Sequence, residues 1–110
     1  MPSKTVLVVE DEVVIAMDLQ ATLQDLGYTV PEIITSGTEA IQKAPLLKPD
    51  LVLMDIHLGD AVDGIDAAAQ IIDALDIPVV YLTAYADPNT IERASRTCPF
   101  GYILKPFEVR

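Results

Sequence analysis

The stretch LVLMDIHLGD, residues 51–60, decides the fold. Four consecutive apolar residues read as a strand buried on both faces, and the run then stops on an acid, Asp55. A carboxylate at the end of a buried strand is costly unless something there uses it. Working outward, the same grammar recurs. TVLVV (residues 5–9) is short, β-branched and apolar, and is followed at once by Glu10, Asp11 and Glu12. PVVYLT (78–83) and GYIL (101–104) are two further apolar runs, ending at Thr83 and just before Lys105.

Between the strands the period changes. From Val13 to Leu26, a repeat of 100° per residue gathers Val13, Ala16, Leu19, Leu23 and Leu26 on one face, and Gly27 is placed to end that helix. YTVPEII (28–34) predicts a second strand whose Pro31 belongs at an edge or a bulge. Ser36 and Glu39 have capping-box spacing and open a helix expected to finish near Pro45. Ile65, Ala68, Ala69, Ile72 and Leu75 share a face, with Asp66, Gln70 and Asp73 turned away. Asp63 and Gly64 are expected to close the preceding loop, with Gly64 allowing an unusual backbone. Asp87 and Pro88 read as the cap and first position of a helix running to about Arg96.

Strand and helix alternate throughout, which predicts an α/β fold with a parallel sheet and helices on both faces. The 110 residues, just over half of them hydrophobic, suffice for one domain, so residues 1–110 are read as a single unit. No apolar run approaches the roughly 20 residues of a spanning helix, so membrane insertion is not expected. A lone cysteine, Cys98, fits a reducing cytoplasmic location, and it reads as a small buried filler. Seventeen acids against seven bases give a net charge of −10. Such a surface repels phosphates and argues against direct nucleic acid binding.

In folds of this class ligands collect at the carboxyl ends of the strands. The residues there are Glu10, Asp11 and Glu12, then Asp55, Thr83 and Lys105 with Pro106 behind it. Several carboxylates on one rim call for a hard divalent cation, and oxygen ligands suit Mg²⁺.

Taken together, VVEDE, LVLMDIHLGDAVDG, VVYLTAY and GYILKPF resemble the receiver domain of two-component response regulators, in order and spacing, over essentially the full chain. The resemblance implies a flavodoxin-like, doubly wound five-stranded sheet of order 2-1-3-4-5. Arg110 falls where the fifth helix of that family should begin, so that helix is expected to be missing or truncated. The resemblance further implies that Asp55 is the phosphoacceptor, taking a phosphoryl group from a sensor histidine kinase or phosphotransfer protein and passing the signal to a downstream protein or output domain. Asp11 would bind Mg²⁺ directly, Glu10 through water, and the His57 backbone carbonyl would be a further ligand beside Asp55. Lys105 would bind a phosphoryl oxygen. Thr83 and Tyr102 would form the switch. His57 and Tyr85, two residues beyond Asp55 and Thr83, would flank the path of hydrolytic water and lengthen the lifetime of the phosphorylated state. Where the family often has two aspartates, this chain has Glu10 and Asp11. Pro106 would follow a cis peptide bond.

Three rival readings fit these residues less well. A haloacid dehalogenase-like phosphatase also uses an Asp nucleophile, Mg²⁺, Thr and Lys, but requires a second Asp where this chain has His57. A flavin-binding electron carrier needs a hydroxyl- and glycine-rich phosphate loop after the first strand, where EDEVV would repel phosphate. A degenerate receiver acting only as a protein-binding module would not need the Asp-Thr-Lys set. The expectation is therefore a phosphoacceptor that assists its own phosphorylation and dephosphorylation, not a turnover enzyme.

Overall fold

The computed structural model describes residues 4–59, 62–83, 88–97 and 99–104. Five strands and four helices alternate along them: β1 (Val6–Val9), α1 (Val13–Asp25), β2 (Ile33–Ile34), α2 (Gly37–Leu47), β3 (Leu51–Asp55), α3 (Gly64–Leu75), β4 (Val79–Thr83), α4 (Pro88–Ser95) and β5 (Gly101–Leu104). All pairings are parallel, and the strand order is β2-β1-β3-β4-β5. This is the doubly wound order that the family resemblance implies.

Strand alternation sorts the apolar residues into two cores, one on each face. Leu7, Val9, Val52, Met54, Val79 and Tyr81 join one core with residues of α2 and α3. Val6, Val8, Leu53 and Leu82 join the other, with Ala16 and Leu19 of α1. Both faces of the central strands are therefore buried, which is why β1 and β3 read as unbroken apolar runs.

Several local readings need correction. On α1 only Ala16 and Leu19 are buried; Val13 and Leu26 are 52% and 68% exposed. A helix of 13 residues is about 20 Å long and lies against a strand of four residues, about 13 Å long, so its ends overhang the sheet. On α3 the buried set is Gly64, Ile65, Ala67, Ala68 and Ile71, whereas Ala69 faces solvent. The buried face is rotated because α3 packs on α2 as well as on the sheet. α2 ends at Leu47, near Pro45 as expected; its last turn closes through Lys48 N–H donating to Ala44 O at 2.9 Å, with Lys48 in the left-handed region. The second strand keeps only Ile33 and Ile34, with Thr29 bridging Thr5; Pro31, between the two, interrupts this edge. Gly27, at φ 97°, ends α1 as expected. The cap at Ser36 accepts from Glu39 N–H at 3.1 Å. Asp87, Cys98 and Pro106 lie outside the described residues.

Candidate functional site

The site is built by register. Val9 of β1 pairs with Met54 of β3, so the next residues, Glu10 and Asp55, leave the sheet side by side. Their alternation places both on the α1 face, beyond Val8 and Leu53. Glu10 is fully buried and Asp55 is 4% exposed, while Asp11 is exposed. Carboxylate oxygens of Glu10, Asp11 and Asp55 all lie within 4.8 Å of one another. Oppositely charged or dipolar groups must compensate three acids at this range.

Backbone amides supply part of that compensation. Glu12 N–H donates to Glu10 Oε2 at 3.1 Å, and His57 N–H donates to Asp55 Oδ1 at 3.1 Å. These bonds orient both buried carboxylates. Glu12 itself is the residue before α1 and is extended, at φ −86° and ψ 103°. The donor set consists of hard oxygen ligands on one rim, which fits a small divalent cation such as Mg²⁺.

Asp55 is further constrained from behind. Gly64, the first residue of α3, sits so close to β3 that a Cβ there would lie 1.8 Å from the Asp55 carbonyl oxygen. Gly64 N–H donates to Ile56 O at 3.1 Å, and the Asp63 side chain caps α3 by accepting from Asp66 N–H at 2.9 Å. Gly64 is thus required for close approach of two backbones, and not for the unusual backbone expected of it; among the described glycines only Gly27 has positive φ.

Thr83 ends β4 and is buried, with 1% exposure. It pairs with Leu104, while Asp55 pairs with Leu82 one position earlier. Thr83 therefore stands on the same rim as Asp55, one strand over. Tyr102 is 41% exposed and lies across from Tyr81, with ring centroids 6.0 Å apart and planes tilted by 32°. His57 is exposed on the rim and reaches the site through its backbone. The structure thus brings together Glu10, Asp11, Asp55 and the His57 amide, with Thr83 one strand away. Lys105 and Tyr85 lie outside the described residues.

Sequence reasoning passed over a second polar group beneath α4. The hydroxyls of Tyr81 and Thr97 are 2.7 Å apart, and Arg93 Nη2 meets Asp63 Oδ2 at 3.2 Å and Asp66 Oδ1 at 3.5 Å. The available signal was a single phenol in the otherwise aliphatic run PVVYL. Burial pushes the Tyr81 phenol above its ordinary range, opposed by the bond to Thr97.

Comparison with known proteins agrees with this geometry. Residues 6–110 match the family described as the response regulator receiver domain. The transcriptional regulatory protein PdtaR of Mycobacterium tuberculosis is 41% identical over 106 residues, covering 96% of this chain and 51% of the relative. The chemotaxis protein CheY of Thermotoga maritima is 34% identical over 107 residues, covering 96% and 88%. The chain thus spans about half the length of PdtaR, whereas it spans most of CheY. Among solved structures, the signal receiver domain of a modulated diguanylate cyclase from Desulfovibrio desulfuricans superposes with a TM-score of 0.93 at 39% identity, over 97% of this chain and 85% of the other. The receiver domain of a sensor histidine kinase from Pseudomonas aeruginosa, which holds a magnesium ion in its active-site cleft, gives 0.85 at 30% identity, over 97% and 88%. The sequence motifs, the sheet order and the acidic rim converge with these matches: the chain belongs to the response regulator receiver domain family.

Proposed function

We propose that this domain is the phosphoacceptor of a two-component relay, with Asp55 receiving the phosphoryl group. The observation that carries the reading is the buried Asp55 carboxylate, placed by register beside Glu10 and within 4.8 Å of the Asp11 and Glu10 oxygens. Receiver domains exchange phosphoryl groups with histidine kinases or phosphotransfer proteins, and such a protein is the donor proposed here. A carboxylate oxygen of Asp55 forms the new O–P bond as the N–P bond to the donor imidazole breaks, and the imidazole leaves with the bonding pair and takes up a proton. Phosphoryl transfer of this kind depends on positioning and charge neutralisation far more than on covalent assistance.

The chain's residues divide that work. His57 N–H holds the Asp55 carboxylate in orientation through Oδ1. Glu10 and Asp11, with Asp55 and the His57 carbonyl, would hold Mg²⁺, which when bound offsets the negative charge of the acids and of the phosphoryl oxygens. Lys105 is assigned the balancing ammonium, on its position in the sequence after β5. Thr83 donates its hydroxyl to a phosphoryl oxygen. That bond draws the end of β4 inward and shifts the population of Tyr102 from its half-exposed position. His57 and Tyr85 are assigned the role of slowing hydrolysis. Among the described residues no helix is long and apolar enough to cross a membrane.

The test is the intact mass after incubation with acetyl phosphate. A gain of one phosphoryl group is expected with Mg²⁺ and none with excess EDTA; an equal gain under both conditions overturns the role given to the acidic cluster. A second measurement addresses the switch. Thr83→Ala should still gain the phosphoryl mass, yet show amide chemical-shift changes across α4 and β5 less than about half those of the wild type. Changes of full size would remove Thr83 from the signal path.

A further inference from the structure

Tyr81 is fully buried at the centre of the β4 face beneath α4, among aliphatic side chains that a phenylalanine would satisfy as well. A buried phenol must place its hydroxyl on a partner, and here the partner is Thr97, just beyond the C-terminus of α4. Thr97 Oγ1 also lies 2.6 Å from Ala94 O, to which it donates. A hydroxyl carries one proton. With that proton on Ala94 O, Tyr81 is the donor to Thr97. The result is a directed chain from Tyr81 to Thr97 to Ala94 O, which also accepts Thr97 N–H at 3.1 Å. It ties the last turn of α4 to β4, two residues before Thr83.

The same ring is the neighbour of Tyr102. The two residues are register partners on β4 and β5 with centroids 6.0 Å apart, so any inward swing of Tyr102 moves along the Tyr81 ring. At its other side α4 is tied to the first turn of α3, through Arg93 to Asp63 and Asp66. These exposed ion pairs contribute little by themselves, which leaves the part-buried Tyr81–Thr97 bond as the stronger tether.

We infer that Tyr81 is a positioning residue of the switch: its hydroxyl, through Thr97, latches the end of α4 in the resting arrangement and so keeps Tyr102 in its outward position. This rests on the switch reading given above. It goes beyond it by assigning the resting state a restraint of its own, which Thr83 must overcome.

The experiment uses the whole chain without phosphate. Tyr81→Phe keeps the ring and removes the hydroxyl, and Thr97→Val removes the acceptor while keeping the shape. Tyr81→Phe should speed amide hydrogen exchange at Ala94–Thr97 by roughly fivefold, the size of one net hydrogen bond, and Thr97→Val, which also loses the bond to Ala94 O, by at least as much. The double variant should be no faster than Thr97→Val alone. A purely packing role would not move Tyr102, so its ring resonances are the second readout. In Tyr81→Phe they should shift part of the way toward the positions that beryllofluoride with Mg²⁺, a phosphoryl mimic, produces in the wild type. If beryllofluoride does not move Tyr102 in the wild type, the switch reading falls and the positioning role falls with it. If it does, but Tyr81→Phe changes neither exchange nor Tyr102, or the two substitutions simply add, the latch alone is overturned.

Discussion

Asp55→Asn is expected to accept no phosphoryl group, even when acetyl phosphate and Mg²⁺ are saturating. The amide keeps a carbonyl oxygen to receive His57 N–H, now 3.1 Å from Oδ1, so the loop after β3 has no reason to move. What is lost is an anionic nucleophile. A barrier raised by only about 4 kcal/mol would slow transfer roughly a thousandfold, below detection in an intact-mass assay. Glu10 and Asp11 do not substitute for it in this reading: Glu10 is fixed by Glu12 N–H, and Asp11 lies on the exposed side of the cluster. A phosphoryl mass gain undiminished in the variant would move the acceptor elsewhere. Stability should go the other way. Removing one of three acids within 4.8 Å of each other relieves the mutual repulsion of the cluster. In EDTA the variant should therefore melt at or above the wild-type temperature. Added Mg²⁺ should raise the wild-type melting temperature more than that of the variant, because stabilisation by a ligand grows with its affinity for the folded state. Equal Mg²⁺ effects would remove Asp55 from the ligand set.

That prediction was accessible from the sequence because the site is a consequence of strand ends. Once VLVV, LVLM and VVYLT are recognised as parallel strands buried on both faces, the polar residues that terminate them must share a rim. Glu10, Asp11, Asp55 and Thr83 do so. Element type was equally legible, since the apolar period switches cleanly between strands and helices. Which helical residues face inward was not. α1 overhangs a strand too short to cover Val13 and Leu26, and α3 must serve two neighbours, which turns Ala69 outward and Ala67 inward. Period alone sets the width of an apolar stripe but carries no knowledge of what lies opposite. Pro45 did mark the end of α2, which stops two residues later, where the last turn closes through Lys48 and Ala44. The Tyr81–Thr97 bond joins residues 16 apart through packing of α4 on β4, and no spacing rule reaches it.

The second large effect concerns Gly64. A glycine after an aspartate at the start of a helix invites a reading in terms of backbone freedom, yet the constraint is space. A methyl group on Gly64 would lie 1.8 Å from the Asp55 carbonyl oxygen, 2.8 Å from its carbon and 2.9 Å from Ile56 Cα. All three contacts are backbone atoms of the strand end, so no side-chain rotation relieves them. Either α3 withdraws from β3, breaking the Gly64 N–H bond to Ile56 O and loosening Ile65 and Ala68 in the core, or the Asp55 backbone is pushed toward the acids. Overpacking of this kind costs about 3 kcal/mol. For a domain of this size that lowers the melting temperature by about 12 °C or more. Gly101→Ala is the matched control, since nothing lies within 4 Å of a Cβ there and its effect should be within about 1 kcal/mol. The displaced carboxylate should also slow phosphorylation of whatever fraction remains folded, by about tenfold or more, because misplacing a reacting group by even 1 Å is that costly. Thermal melts and the rate of phosphoryl mass gain at a temperature where Gly64→Ala is still folded measure the two effects separately. A variant as stable as Gly101→Ala would show that α3 can retreat at no cost. One that is destabilised yet phosphorylated at the wild-type rate would show that Gly64 secures the fold without positioning Asp55.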